Sequence, residues 1–483
     1  MNSYRHILVL ALCSLFFALT SCREYNVSDD PSLRLAFSTD TLSFDTLFSE
    51  QGSATLQIMV YNRNASALVV DRVWLENGSV FRVNVDGEPD LSRITRMTVN
   101  GGDSAFVFVR VHMDALGSNS PVLVEDLLHF HLSSGVEQHV LLEAYGQDAT
   151  RIGRKGCGRT EKNTFTFTAD KPYIIYDTLL VGSTMTILPG ARLYMHQGAC
   201  IYALGDVVAQ GTQDAPILIR GDRLDNLFDS VPYLYAGGSW NGIYLQAEQP
   251  QQYHLSYVDI LSGNVGLCCI STCTDALPRL TMDGCRIHNH TQYGLMLSHV
   301  DATVSNTEIS NCALNCVYCS GGTHTFVHST IASYFGFTNI RIQSVAKEDA
   351  AAVFIDNLSK TTPNTNTSFV NSIITGYWPN QLVVATPFDR YYPGSFIGNY
   401  LKTDSLSIPH ASANIYWQKT DTMDVFVNDF YKYKEYIYYD FHLDSLSPAI
   451  GIGDSLMALP FPTDRDGVSR ALIRPDAGCY QHR

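Results

Sequence analysis

Asp283 and Asp301 lie in a stretch where arginine and histidine recur, the residue types that a polysaccharide-cleaving groove would need. Hydrolysis of a glycosidic bond takes one carboxyl as acid and another as base or nucleophile. Elimination takes acids that hold Ca²⁺ and a basic residue that removes a proton. A second acidic set, Asp464, Asp466 and Asp476, would either bind a cation such as Ca²⁺ or, with Arg465, Arg470 and Arg474 among it, form a salt-bridged cap. Tyr433, Tyr436 and Tyr438, in the aromatic tract 431–439, would offer platforms to sugar rings or cover an end of the fold. His288, His290, His299, His324 and His328 cluster without a shared repeat position, so locally bonded imidazoles are expected rather than a metal site. Cys268, Cys269, Cys273, Cys285, Cys312, Cys316 and Cys319 read as buried apolar rungs or as disulfide partners, and Cys316-x-x-Cys319 has no second pair to complete a zinc site. No cofactor is expected, with Ca²⁺ bound by these acids as the alternative.

The elements that must carry these side chains repeat. Leu280–Ile287, Ala302–Ile309 and His324–Ile331 align without gaps, and their final isoleucines recur every 22 residues. A second apolar run follows in each unit, Tyr293–Leu297 matching Asn315–Cys319. Several short runs per period of about 22 residues are what a coil of stacked parallel strands requires, because each strand turns alternate side chains inward. The units are rich in Thr, Ser, Ile and Val and lack a leucine-asparagine signature, which favours strands over a leucine-rich repeat. Asp259, Arg286 and Glu308 share one position before the ladder isoleucine and read as a structural charge ladder. Asn289 and Asn311 fall two places after it, where a corner with left-handed backbone is expected.

Upstream, residues 33–148 contain seven candidate strands separated by turn signals, and 149–169 read as a basic, glycine-containing linker. Before them, Arg5 precedes an apolar run from Ile7 to Leu19 that ends in Leu19-Thr20-Ser21-Cys22. This is the layout of a secretory signal over 1–21, with Cys22 as the lipid-bearing first residue and 22–32 as a tether. The chain carries 32 basic and 47 acidic residues, a net charge of −15, and losing residues 1–21 removes Arg5 and no acid. Such a surface repels nucleic acid.

The segment with Val60-Tyr61-Asn62, Leu68-Val69-Val70 and Phe81-Arg82-Val83 resembles the ASPM/SPD-2/Hydin type of immunoglobulin-like sandwich, a module that implies a spacer. Thr186–Ala191, Gly211-Thr212, Ala215–Ile217, Trp240–Ile243, Ser447–Gly451, Asp464–Gly467 and Pro475–Gly478 resemble the right-handed parallel β-helix lipoproteins of Gram-negative bacteria, of pectate-lyase-like fold. Asn306-Thr307-Glu308 and Arg341-Ile342-Gln343 match the polygalacturonase pattern only in part, so that hydrolysis is not assigned. The expected fold is therefore all-β: an Ig-like sandwich over 33–148, then a right-handed parallel β-helix with a C-terminal cap over 170–483. The expected role is an outer-membrane or surface-exposed lipoprotein that recognises a glycan or a protein. A polysaccharide lyase or glycoside hydrolase, and a stalk or adhesin, are the alternatives.

Overall fold

The computed structural model describes residues 26–483 except 79, 95, 229–230, 336–349, 358–364, 386–394, 404–413, 419–424 and 429–438. Cys22 and Tyr433, Tyr436 and Tyr438 lie outside the described residues. Strands dominate, and the chain divides into two compact units at Asp148/Ala149.

In the first unit, Ala36–Phe37, Leu56–Tyr61, Ser104–Val111 and Phe81–Val85 form, in that order, a four-stranded antiparallel sheet with Ala36–Phe37 and Phe81–Val85 at its edges. Thr41–Phe48, Glu137–Gln147, Val122–Leu132, Leu68–Leu75 and Met97–Val99 form a five-stranded sheet, mixed because Thr41–Phe48 runs parallel to Glu137–Gln147. Strict alternation decides what each strand buries. Along Ser104–Val111 the valines 107, 109 and 111 turn inward while Phe106 and Phe108 stay exposed. Ile58, Val60, Val107 and Val109 from one sheet join Val70, Leu128, Phe130 and Leu142 from the other in a single apolar core.

The second unit contains an eleven-stranded and a sixteen-stranded sheet, both built on parallel pairs. Each turn of chain adds one strand to the eleven-stranded sheet and two to the other, the arrangement of a parallel β-helix-like solenoid. The repeat governs the register: Ile260, Ile287, Ile309, Ile331 and Ile374 are successive Cα partners, and all are fully buried. Burying such a branched side chain contributes roughly 1.5–3 kcal/mol, so the column is a major source of stability. The corners are taken by residues that tolerate left-handed backbone, with φ of 66° at Asn289 and 58° at Asn311. A second corner carries Asn306, His328 and Asn371 at φ of 45°, 45° and 48°.

The passage expected to be a linker is part of this unit. Thr150–Ile152 pairs in parallel with Tyr173–Ile175, and Arg159–Phe167 with Thr178–Ile187. Its charges suit the outermost strand of a stack, where exposed Arg159, Lys162 and other polar side chains discourage further pairing.

Candidate functional site

The charge ladder forms as its spacing requires, Asp259, Arg286 and Glu308 being Cα partners on neighbouring strands. The C-terminal segment lies over it. Glu308 is buried and accepts hydrogen bonds from Arg286 Nε at 3.2 Å, Ser310 Oγ at 2.6 Å and Tyr480 OH at 2.6 Å. Burial pushes its carboxyl up, but Arg286, His288 and these hydroxyls outweigh burial and hold it down at about 2. Arg465 closes on Asp259 at 2.6 Å. His442 sits between Asp440 at 2.5 Å and Asp466 at 2.8 Å, and those two hydrogen bonds raise it to about 9. A cavity of about 380 Å³ lies beside this network, lined by Tyr257, Asp259, Arg465, Asp466 and Arg483 among others. The carboxylates around it are already paired, so they fasten a cap and hold no free base.

The acids singled out in the sequence do not converge. Asp301 is the Cα partner of Arg279, four residues before Asp283 on the same strand. At about 3.3 Å per residue their backbone positions are offset by about 13 Å along the strand direction, whereas an acid and base flanking one glycosidic bond stand no more than about 9.5 Å apart. Asp283 accepts from Ser305 Oγ at 2.6 Å and Asn306 Nδ2 at 3.2 Å, and Asp301 from the Thr323 N–H at 2.8 Å. Asp464 accepts from the N–H groups of Asp466, Val468 and Gln481, and Asp476 from those of Gly451 and His482. These bonds tie neighbouring coils and the C-terminal loops together. Among the described residues no three His, Cys, Asp or Glu side chains gather as a metal site.

The histidines separate likewise. His288 and His290 lie on Arg286–His290, His324 on Gly322–Val327 and His328 at a corner, all four buried. Burial lowers His288 to about 3 and His290 and His324 to about 4, so they are neutral hydrogen-bonding groups. The cysteines of the described residues are free thiols. Cys285 and Cys319 are fully buried, and burial lifts each to about 12, which fits rungs of the core rather than nucleophiles. In the aromatic tract, Tyr439 stacks against Tyr334 and Phe441 in an apolar cluster.

A different place on the solenoid is open and polar. At the corner joining the two halves of the sixteen-stranded sheet, Ser183, Thr184, Asp206, Gln246, Glu248, Gln249 and Gln251 line a groove of about 420 Å³. The long strand Thr178–Ile187 crosses this corner, and the next coil turns tightly over it at Gly205. A Cβ at Gly205 would collide with the Ser183 carbonyl oxygen, so glycine is what lets these coils approach. On Gly242–Ala247, Leu245 and Ala247 face the core while Tyr244 and Gln246 face outward, two residues apart. Tyr244 is the Cα partner of Tyr202, and their rings stack at 4.7 Å. Burial raises the Tyr244 phenol to about 12, keeping it a neutral donor.

No basic residue lines the groove. Its three carboxamides, two hydroxyls and two carboxylates offer both donors and acceptors to a polyhydroxylated ligand, and its negative sign disfavours an acidic one. Sequence reasoning missed the site. Its one signal is the run Gln246-Ala247-Glu248-Gln249-Pro250-Gln251-Gln252, which by itself reads as a turn.

No protein-family profile matches the chain, and no curated protein matches it. Among solved structures, a family 123 glycoside hydrolase from Clostridium perfringens, studied for glycolipid glycan hydrolysis, aligns with TM-score 0.18 and 6% identity over 25% of this chain and 30% of its own. The E. coli chaperone DraB aligns with TM-score 0.17 and 10% identity over 26% and 57%, and BcpA, the major pilin subunit of Bacillus cereus, with 0.14 and 11% over 25% and 44%. The chain thus spans 30 to 57% of the length of these proteins, and likeness at this level carries no argument.

Proposed function

We propose that the protein is a lipid-anchored envelope scaffold that recognises a neutral glycan through the groove at Gln246 and Gln251. In this reading Cys22 carries the acyl chains, the first unit is an Ig-like sandwich acting as a spacer, and the solenoid is a right-handed β-helix. The observation that carries the proposal is the composition of the groove: carboxamides, hydroxyls and carboxylates without a basic side chain, beside the Tyr202–Tyr244 pair. Sugar hydroxyls match such a set, whereas uronic or sulfated chains would meet Asp206 and Glu248.

The test is a retention and product assay on the chain from residue 22, with Cys22→Ser to prevent acylation. It uses neutral and acidic polysaccharides, with and without Ca²⁺. Retention of a neutral polymer without new reducing ends or unsaturated products is expected, together with about fivefold weaker binding for each of Gln246→Ala and Gln251→Ala. Retention of acidic polymers alone would sink the proposal. Because Asp206 and Glu248 share the groove, cleavage abolished by Asp206→Asn or Glu248→Gln would establish a hydrolase there instead.

A further inference from the structure

The most exposed large apolar side chains of the described residues are concentrated near the C-terminus. Leu446, Leu456, Leu459, Leu472 and Ile473 are 64–84% exposed, and all but Leu446 lie on two loops that also carry the 45% exposed Met457. Two hydrogen bonds set their loops side by side: the Arg474 N–H donates to Ser455 Oγ at 3.1 Å, and the Gly453 N–H to the Pro475 carbonyl at 2.8 Å. Scattered apolar residues on a surface need no explanation, but five on adjacent loops do.

Their form and charge select the occupant. Side chains this exposed project as separate prongs; a rigid protein partner would need a matching pit for each, whereas a fluid acyl boundary conforms to them. The chain as a whole is strongly acidic, yet these loops are not. Between Ser447 and Pro462 the only acid is Asp454, whose carboxylate accepts the Leu456 and Met457 N–H groups; between Gly467 and Pro475 there is none. Exposed Arg474 stands next to Ile473, positioned by its Nε donating to the Gly451 carbonyl at 2.9 Å. Apolar prongs flanked by a cation, with the one carboxylate of these loops, Asp454, turned to its own loop's N–H groups, match the headgroup boundary of a bilayer.

We propose that the paired loops 453–459 and 472–475 form a phospholipid-bilayer contact, with Leu456, Met457, Leu459, Leu472 and Ile473 entering the acyl boundary and Arg474 meeting a headgroup phosphate. The contact is separate from the glycan groove and does not depend on acylation of Cys22.

Flotation of the unacylated Cys22→Ser chain with vesicles of phosphatidylethanolamine and phosphatidylglycerol tests it. The chain is expected to float, and Leu472→Asp with Ile473→Asp is expected to lower the bound fraction about tenfold or more, with an unchanged circular dichroism spectrum. In Leu472→Trp, the introduced tryptophan's emission should be quenched by brominated acyl chains. A chain that does not float, or that floats equally with both aspartates, overturns the proposal. So does a dimer in sedimentation that the aspartates split, since the occupant would then be a second copy.

Discussion

The capped charge ladder and the open groove are built from similar material on the same solenoid, carboxylates carried by neighbouring coils, yet their chemistry differs. At the ladder, Glu308 has three donors and Asp259 has Arg465, so charge is spent on attachment. At the groove, Asp206 and Glu248 stand with amides and hydroxyls and no cation to neutralise them. A carboxylate on a β-solenoid is therefore not a catalytic hint in itself; what lies over it decides whether it is a fastener or a contact.

That comparison breaks most sharply in stability. Glu308→Ala would take from Arg286, Ser310 and the buried Tyr480 hydroxyl the acceptor they share and is expected to cost about 1–3 kcal/mol, whereas Glu248→Ala should stay within about 0.5 kcal/mol; urea unfolding of the two variants would read the difference directly. Comparable losses would mean that the groove, too, is structural. The groove's own geometry is expected to fail at Gly205→Ala, where the collision with Ser183 should cost about 2 kcal/mol and weaken glycan binding together with stability.

Acid should find the ladder before the groove. The folded state holds Glu308 at about 2 and His288 at about 3, both depressed, so each contributes stability that is present above its unfolded pKa and is lost as pH falls toward the folded one. His288, joined by His290 and His324 at about 4, begins the loss below about 6.5, and Glu308 adds to it below about 4.5. The thermal midpoint is expected to fall steadily from pH 6.5 downward, and His288→Asn to flatten that slope; an unchanged slope would show that these groups are not neutral and buried.

The smallest effect lies on the alkaline side. His442 is raised to about 9 by Asp440 and Asp466, so its contribution is complete below about 6.5 and is lost as pH rises through 9. The side chain is more than a third exposed, and solvent screening keeps the effect slight. His442→Gln should remove a small decline in the melting temperature between pH 7 and 10, while Gln246→Ala should leave it in place.

Much of the solenoid was legible because its determinants are periodic. Ile287, Ile309 and Ile331 have to share a register when a one-residue slip would turn each strand's core face outward, and Asn289 and Asn311 have to sit at corners where few residues tolerate positive φ. The 149–169 passage misled because an edge strand carries charges and glycines for the same reason that a linker does, to stay unpaired and soluble. Asp283 and Asp301 are candidates by residue type alone; along a strand each residue adds about 3.3 Å, and the coil-to-coil register sets them at opposite ends.

By itself the sequence determined the elements that depend on local pattern: strands from period-two alternation, coils from the 22-residue repeat, a charge ladder from aligned Asp259, Arg286 and Glu308. The tertiary structure alone decided which of those outward faces remains available. Tyr480 and Arg465 reach the ladder from 172 and 206 residues away, and the coils meeting at Gly205 assemble the groove from segments separated by insertions of unequal length. Periodicity specifies what each strand turns inward; only the packed chain specifies what covers the side that is turned out.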